Sequence, residues 1–283
     1  MNLTSKALLV QLSISQWSAR KYDKRVSNAV SKSSGASSDA GRYNKLLLPG
    51  ADKLEAIQKK STSIRNEYYR QTLPWGMEGT MLLPTDNYMA FMSEFGTMKN
   101  QWQALVNDFV AEYPQLVSAA QLKLGSMYEP ADYPPVSAIA DKFLIGISVM
   151  PVPNTDFRVS LGDDELNKIR ADVESRVKAA GDKAMNDLWQ RLYDKVKLLA
   201  ERLSDPEARF RESLIENARE LCDILPRLNI ADDPRLEELR LEVEGVIRGK
   251  NADVLRTSPA VREDTAKSAQ AIVDKMNVFM TGV

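Results

Sequence analysis

Hydrophobic residues recur with two different periods along the chain. Leu8, Val10, Leu12 and Ile14 alternate with Leu9, Gln11 and Ser13, and Phe143, Ile145, Ile147 and Val149 alternate in the same way. A period of two predicts strands, here near 8–16 and 143–150, with Thr80–Leu83 as a short third strand between them. These segments are expected to pair into a small antiparallel sheet, because a lone hairpin is marginal in water.

Elsewhere the period is helical. Tyr88, Phe91, Phe95, Met98, Trp102, Leu105 and Phe109 step by three and four residues with a mean of 3.5. That is a heptad seam, and it predicts a long helix over 85–113. Pro114 is expected to kink or end it, with helix resuming from Leu116 to Leu124. The longest stripe is Leu166, Ile169, Val173, Val177, Ala180, Ala184, Leu188, Leu192, Val196, Leu199 and Leu203, with a mean step of 3.7. It predicts a helix over 163–203, opened by Asp163-Asp164-Glu165, where acid complements the helix dipole. At 1.5 Å per residue such a helix is roughly 61 Å long. Part of it must pack on other helices or on another subunit.

Shorter helices are expected at 20–30, 39–47, 51–72, 206–225, 234–247 and 259–280. The last three follow Ser204-Asp205-Pro206, Asp232-Asp233-Pro234 and Ser258-Pro259, each a capping side chain ahead of a first-turn proline. Ser31–Ser38 reads as a flexible loop, and Leu73-Pro74-Trp75-Gly76-Met77-Glu78-Gly79 as a turn. The fold class is therefore mainly α with some β: long helices in an elongated bundle or coiled coil, with two or three strands. The expected division is a mixed α+β region over 1–160 and an all-helical region over 161–283.

Composition narrows the chemistry. The chain of 283 residues has no histidine and one cysteine, Cys222. This removes Ser-His-Asp and Cys-His catalysis, histidine zinc signatures and thiolate metal sites. Cys222 lies on an apolar helical face and reads as a packed thiol; a single cysteine suits a reducing compartment. No Gly-rich phosphate loop or nucleophile elbow occurs, so no cofactor is expected. Acidic groups at 163–165, 232–233 and 237–244 suit helix starts or solvated faces. A carboxylate-only magnesium site is the one metal chemistry they leave open, and Lys or Tyr acid–base chemistry the other enzymatic route. Lys6 before Ala7–Val10 faintly suggests a secretion signal, but Gln11 and Ser13 break the run, and the segment reads as a strand. No run of about 18 apolar residues predicts a membrane span, so the cytoplasm is the expected location.

The net charge of −1 hides a polarity. Residues 1–80 hold 13 Lys or Arg against 6 Asp or Glu, and the remainder holds 25 against 33. Trp17, Arg20, Lys21, Tyr22, Lys24 and Arg25, with Arg42 and Lys45 beyond the loop, combine cations with rings. That is what single-stranded nucleic acid or an acidic partner needs. The same residues also fit a plain arrangement, with the rings in the core and the cations in water. Tyr68, Tyr69, Trp75 and Met77, with Trp189 and Leu192 on the long helix, form a second group. It suits either an adaptable protein interface or a core.

The chain resembles a domain-of-unknown-function family of helical proteins from bacteriophages and mobile genetic elements. The resemblance covers nearly the whole chain. It is carried by Ala7–Val10 with Ile14–Trp17, by Ala40–Lys45, Leu73–Gly76, Phe157–Val159, Asp187–Leu192 and Asn217–Leu221. Members are often encoded near MoxR-like AAA+ ATPases and sometimes near recombination genes. The resemblance therefore implies an ATPase partner in a bacterial host cytoplasm, and it supplies no catalytic residues. Together these features predict a non-enzymatic, homo-oligomeric adaptor or scaffold. The alternative is a nucleic-acid-binding accessory protein that uses the basic N-terminal third.

Overall fold

A computed structural model describes residues 3–77, 79–156 and 162–280. Glu78 of the expected turn and Phe157–Val159 of the family resemblance lie outside these residues. Contacts divide the chain into two compact units. One comprises Met1–Gln11, Tyr68–Phe91 and Val149–Val283; the other comprises Leu12–Glu67 and Met92–Ser148.

The fold is mainly helical with small sheets, as the two periods predict. Among the described residues the order is α1 (Leu3–Lys6), β1 (Ala7–Ser15), β2 (Arg20–Tyr22), α2 (Lys24–Ser33), β3 (Asn44–Leu46), α3 (Asp52–Arg70), β4 (Leu73–Pro74), β5 (Thr80–Pro84) and α4 (Thr85–Leu124). After several short 3-10 turns come β6 (Leu144–Pro151), α5 (Asp163–Ser204), α6 (Ser213–Leu228), α7 (Pro234–Ile247), α8 (Ala252–Thr257) and α9 (Pro259–Met280). One sheet has the order β4-β5-β1-β6, and β2 pairs with β3 in a second. β1 runs antiparallel to β5 with Ala7 opposite Pro84 and Gln11 opposite Thr80. The expected mates of the N-terminal strand are thus its neighbours on either side.

In the first unit the core is built along α5. Ala180, Ala184, Leu188, Leu192, Val196, Leu199 and Leu203 are buried, and so are Leu73 and Leu82 of the sheet and Trp75 just after β4. The facing helices supply Ile215, Leu225, Leu239, Ile272 and Met276. Two arginines hold the helix ends that the core leaves polar. Arg191 donates to the carbonyls of Arg70 (3.2 Å) and Thr72 (2.8 Å), just past α3. Arg262 donates to the Leu203 carbonyl at 3.0 Å and also to that of Asp205, closing the C-terminus of α5. Both satisfy carbonyls that a helix cannot satisfy itself, at its negative end.

The second unit packs around the aromatic seam of α4. Phe95, Trp102 and Phe109 are buried, with Met98 and Leu105 packed against them. Trp102 Nε1 donates to Ser61 Oγ at 2.8 Å, and the Ser61 hydroxyl lies 2.8 Å from Gln16 Oε1. Trp102 and Ser61, both buried, thus satisfy each other's polar atoms.

Several local expectations are corrected. Residues 20–22 form a strand, and the helix begins at Lys24 because the Asp23 carboxylate caps the Val26 amide at 3.0 Å. No helix occupies 39–47; Asn44–Leu46 is the strand β3. Pro114 does not end α4, which runs through it to Leu124. The proline removes one hydrogen bond, but Phe109 and Tyr113 before it and Ala120 and Leu124 after it are all buried. Holding both halves in register outweighs that loss. Asp205-Pro206 does not start α6. Asp205 Oδ1 accepts from the Glu207 amide at 3.0 Å, forming a turn, and α6 begins at Ser213. Asp233, by contrast, caps α7 as expected, accepting from the Arg235 amide at 2.9 Å.

Leu192 is 1% exposed in the first core. Leu192→Ala is expected to cost about 3 kcal/mol, read as a lower urea midpoint with an unchanged slope.

Candidate functional site

Two surfaces gather the residues singled out by sequence, and each belongs to one unit. The first is the β2–β3 ribbon of the second unit. Its register places Arg20 opposite Leu46, Lys21 opposite Lys45 and Tyr22 opposite Asn44. Alternation along a strand sorts these pairs onto two faces. Lys21 and Lys45 point to one side, where both reach Asp132 at 2.7 Å. Lys45 is 6% exposed and also donates to the Met127 carbonyl at 2.6 Å. Its charge is consumed inside the unit, so Lys45 is a structural cation rather than a contact for a ligand. Burial raises the Asp132 carboxyl, but hydrogen bonds and charge from Lys21 and Lys45 outweigh it. They hold the group below its usual value of 3.8.

The opposite face of the ribbon is open. Arg20, Tyr22, Asn44 and Leu46 are all exposed, and the Arg42 guanidinium lies 5.8 Å from the centre of the Tyr22 ring. Arg20 and Lys24 have no ion-pair partner among the described residues. Arg25 is exposed and donates to the Ser126 carbonyl at 2.8 Å. Trp17 packs edge-on against Tyr113 with centroids 5.8 Å apart, so its ring is committed to the core of its unit. The structure thus brings Arg20, Tyr22, Lys24 and Arg42 to the surface and removes Trp17 and Lys45 from it.

The second surface is the N-terminal part of α5, in the first unit. Leu166, Ile169, Val173 and Val177 continue the apolar stripe, yet none of residues 163–179 is buried. Hollows of about 440 Å³ open on both flanks of Val173 and Val177. One is lined by Leu3, Pro153 and Glu174, and the other by Trp75, Met77 and Arg176. Met77 is 68% exposed beside this edge, whereas Trp75 and Tyr68 are buried. Tyr68 is held by its hydroxyl, which donates to the Val10 carbonyl at 2.8 Å. Tyr69 is exposed. Sequence reasoning placed the four aliphatic residues on the stripe without marking them as an interface. The available signal was length: α5 has 42 residues, and α6, α7 and α9 have 16, 14 and 22.

Trp189 is half-buried further along α5, where a cleft of about 710 Å³ is lined by Gln190, Asp232, Asp233, Arg235 and Phe279. Its indole donates to Asp233 Oδ2 at 3.1 Å, and Arg235 lies over the Phe279 ring at 5.6 Å. Internal contacts thus engage its principal polar groups. Cys222 is buried, and burial pushes its thiol up to about 12, so it is a neutral packed thiol at physiological pH. Among the described residues no three carboxylate or thiol groups converge enough to hold a metal ion, and no helix is long and apolar enough to cross a membrane.

Comparison with known proteins matches no family model, no curated protein and no solved structure.

Asp132→Asn is expected to destabilise the second unit by about 3 kcal/mol at neutral pH, because it removes the nearer carboxylate from the buried Lys45 ammonium and leaves only Asp23, at 4.0 Å. The depressed carboxyl stabilises the fold fully above 3.8, and that stabilisation is lost as pH falls through the lower folded value. Urea midpoints of the two proteins should therefore converge in acid. A constant gap down to the lowest pH would refute this account of the pair.

Proposed function

We propose that the chain is a non-enzymatic assembly subunit, a homo-oligomeric adaptor or scaffold. The observation that carries this reading is the apolar edge of α5 over Leu166–Val177, which its own unit leaves only half-buried, in contrast to the buried stripe from Ala180 onward. An apolar stripe at helical spacing gains stability only by burial, and a partner helix is the usual source of it. The family resemblance adds the setting: the cytoplasm of a bacterial host, and a MoxR-like AAA+ ATPase as the partner. Co-expression with such an ATPase should yield a complex that survives gel filtration, with a light-scattering mass above that of either chain. A chain that elutes as a monomer and leaves the ATPase unbound sinks the reading.

The ribbon favours a second reading, nucleic-acid binding. Arg20, Lys24 and Arg42 present cations around an exposed ring, the pairing that single strands use for phosphate and base. Affinity for a single-stranded oligonucleotide should fall steeply with salt. It should be lost in the Arg20→Glu/Lys24→Glu/Arg42→Glu variant, which leaves the Lys21–Asp132–Lys45 cluster intact. If the unaltered chain does not shift the oligonucleotide at low salt, this second reading is wrong.

A further inference from the structure

We infer that the half-buried apolar edge of α5 over Leu166–Val177 is covered by the same edge of a second copy, running antiparallel about a two-fold axis. The inference rests on the assembly reading above and names its surface. The spacing is the first observation. Leu166 and Val177 are centred on 171.5, and Ile169 and Val173 on 171. The four aliphatic positions are therefore nearly symmetric about a point between residues 171 and 172. An antiparallel copy centred there sets Leu166 against the partner's Val177 and Ile169 against the partner's Val173.

Charge gives an independent check of the direction. At 100° per residue, Asp163, Arg170, Glu174 and Lys178 fall on one flank of the stripe, and Glu165, Asp172 and Arg176 on the other. In an antiparallel two-fold pair each flank meets its own counterpart. Arg170 then faces Glu174, Asp163 faces Lys178 and Glu165 faces Arg176, each pair occurring twice. These are opposite in sign; Asp172, beside the axis, meets its own copy once. A parallel pair instead sets one flank against the other at the same level. Asp163 would meet Glu165 and Lys178 would meet Arg176, cancelling the attraction of Arg170 to Asp172 and of Glu174 to Arg176. The pattern thus selects against the parallel arrangement.

The surroundings leave space for this occupant. The hollows of about 440 Å³ lie on both flanks of Val177, the position that receives the partner's Leu166. Competing contacts within the helix are weak. Lys168 to Glu165 (3.3 Å) and Arg176 to Asp172 (2.9 Å) join exposed side chains one turn apart. Such pairs exchange for contacts between subunits at little cost.

The test uses the full chain in light scattering and sedimentation equilibrium. The unaltered protein should give twice the 31.7 kDa chain mass. Arg176→Glu should weaken the dimer about ten-fold by setting like charges opposite each other twice, and adding Glu165→Arg should restore it. Val173→Asp should give a folded monomer by circular dichroism. If the chain assembles but Val173→Asp and Arg176→Glu leave its mass unchanged, this surface is wrong and the assembly reading stands. If the Glu165→Arg/Arg176→Glu protein stays as weak as Arg176→Glu, the antiparallel direction is overturned. A monomeric chain overturns the self-pairing, and ATPase binding then decides the broader reading separately.

Discussion

A helix of 42 residues with one continuous apolar edge must find cover for that edge along its length, or leave part of it wet. From Ala180 onward α5 finds cover within its own unit, and the rest of that unit follows from the need to supply it. α6, α7 and α9 are amphipathic and face the stripe. The β4–β5 hairpin closes on it with Leu73 and Leu82, and Arg262 and Arg191 satisfy the carbonyls stranded where helices end. Ahead of Ala180 the same repeat continues without equivalent cover. Burying a side chain such as Leu is worth about 2 kcal/mol. Four half-buried aliphatic positions therefore hold back part of that gain, and a partner can draw on it.

The second unit solves a different problem, that of keeping charge inside. Lys21 and Lys45 sit opposite each other on a two-stranded ribbon, where like charges repel. Asp132, from the turns after α4, enters between them and converts a repulsion into a three-membered cluster. This fixes the ribbon's orientation. With one face turned to Asp132, strand alternation sends Arg20, Tyr22 and Leu46 outward. The open basic face is thus a geometric consequence of the closed one.

Long periods were legible in the sequence because many residues vote on the same face. β1, β5, β6, α3, α5, α7 and α9 fall close to their expected ranges, and the heptad seam of α4 is its buried edge. Short elements were not legible. Three residues such as Arg20–Tyr22 contain no period, and their pairing with Asn44–Leu46 depends on a contact with Asp132 that lies far away in sequence. Asp205-Pro206 and Asp233-Pro234 carry one local signal with two outcomes. The first makes a turn, because Arg262 takes the carbonyls around it, and the second caps α7. At the candidate surfaces, residue type identified cations and rings but not their fate. Lys45 and Arg20 are alike as side chains and opposite in exposure, and only strand register separates them.

On the exposed part of α5 the apolar and charged positions have separate tasks. Apolar contact supplies the drive to associate but tolerates sliding by a turn, since a stripe with a near-regular step matches itself in several registers. Exposed ion pairs add only a few tenths of a kcal/mol each, too little to hold a complex. Yet wrong registers place like charges opposite, and that difference accumulates over six positions. The acidic first turn and the basic residues around 176–178 therefore set direction and register more than affinity. The acid of Asp163-Asp164-Glu165 is also what the helix dipole favours at that end, so one short run of carboxylates both starts the helix and orients its neighbour.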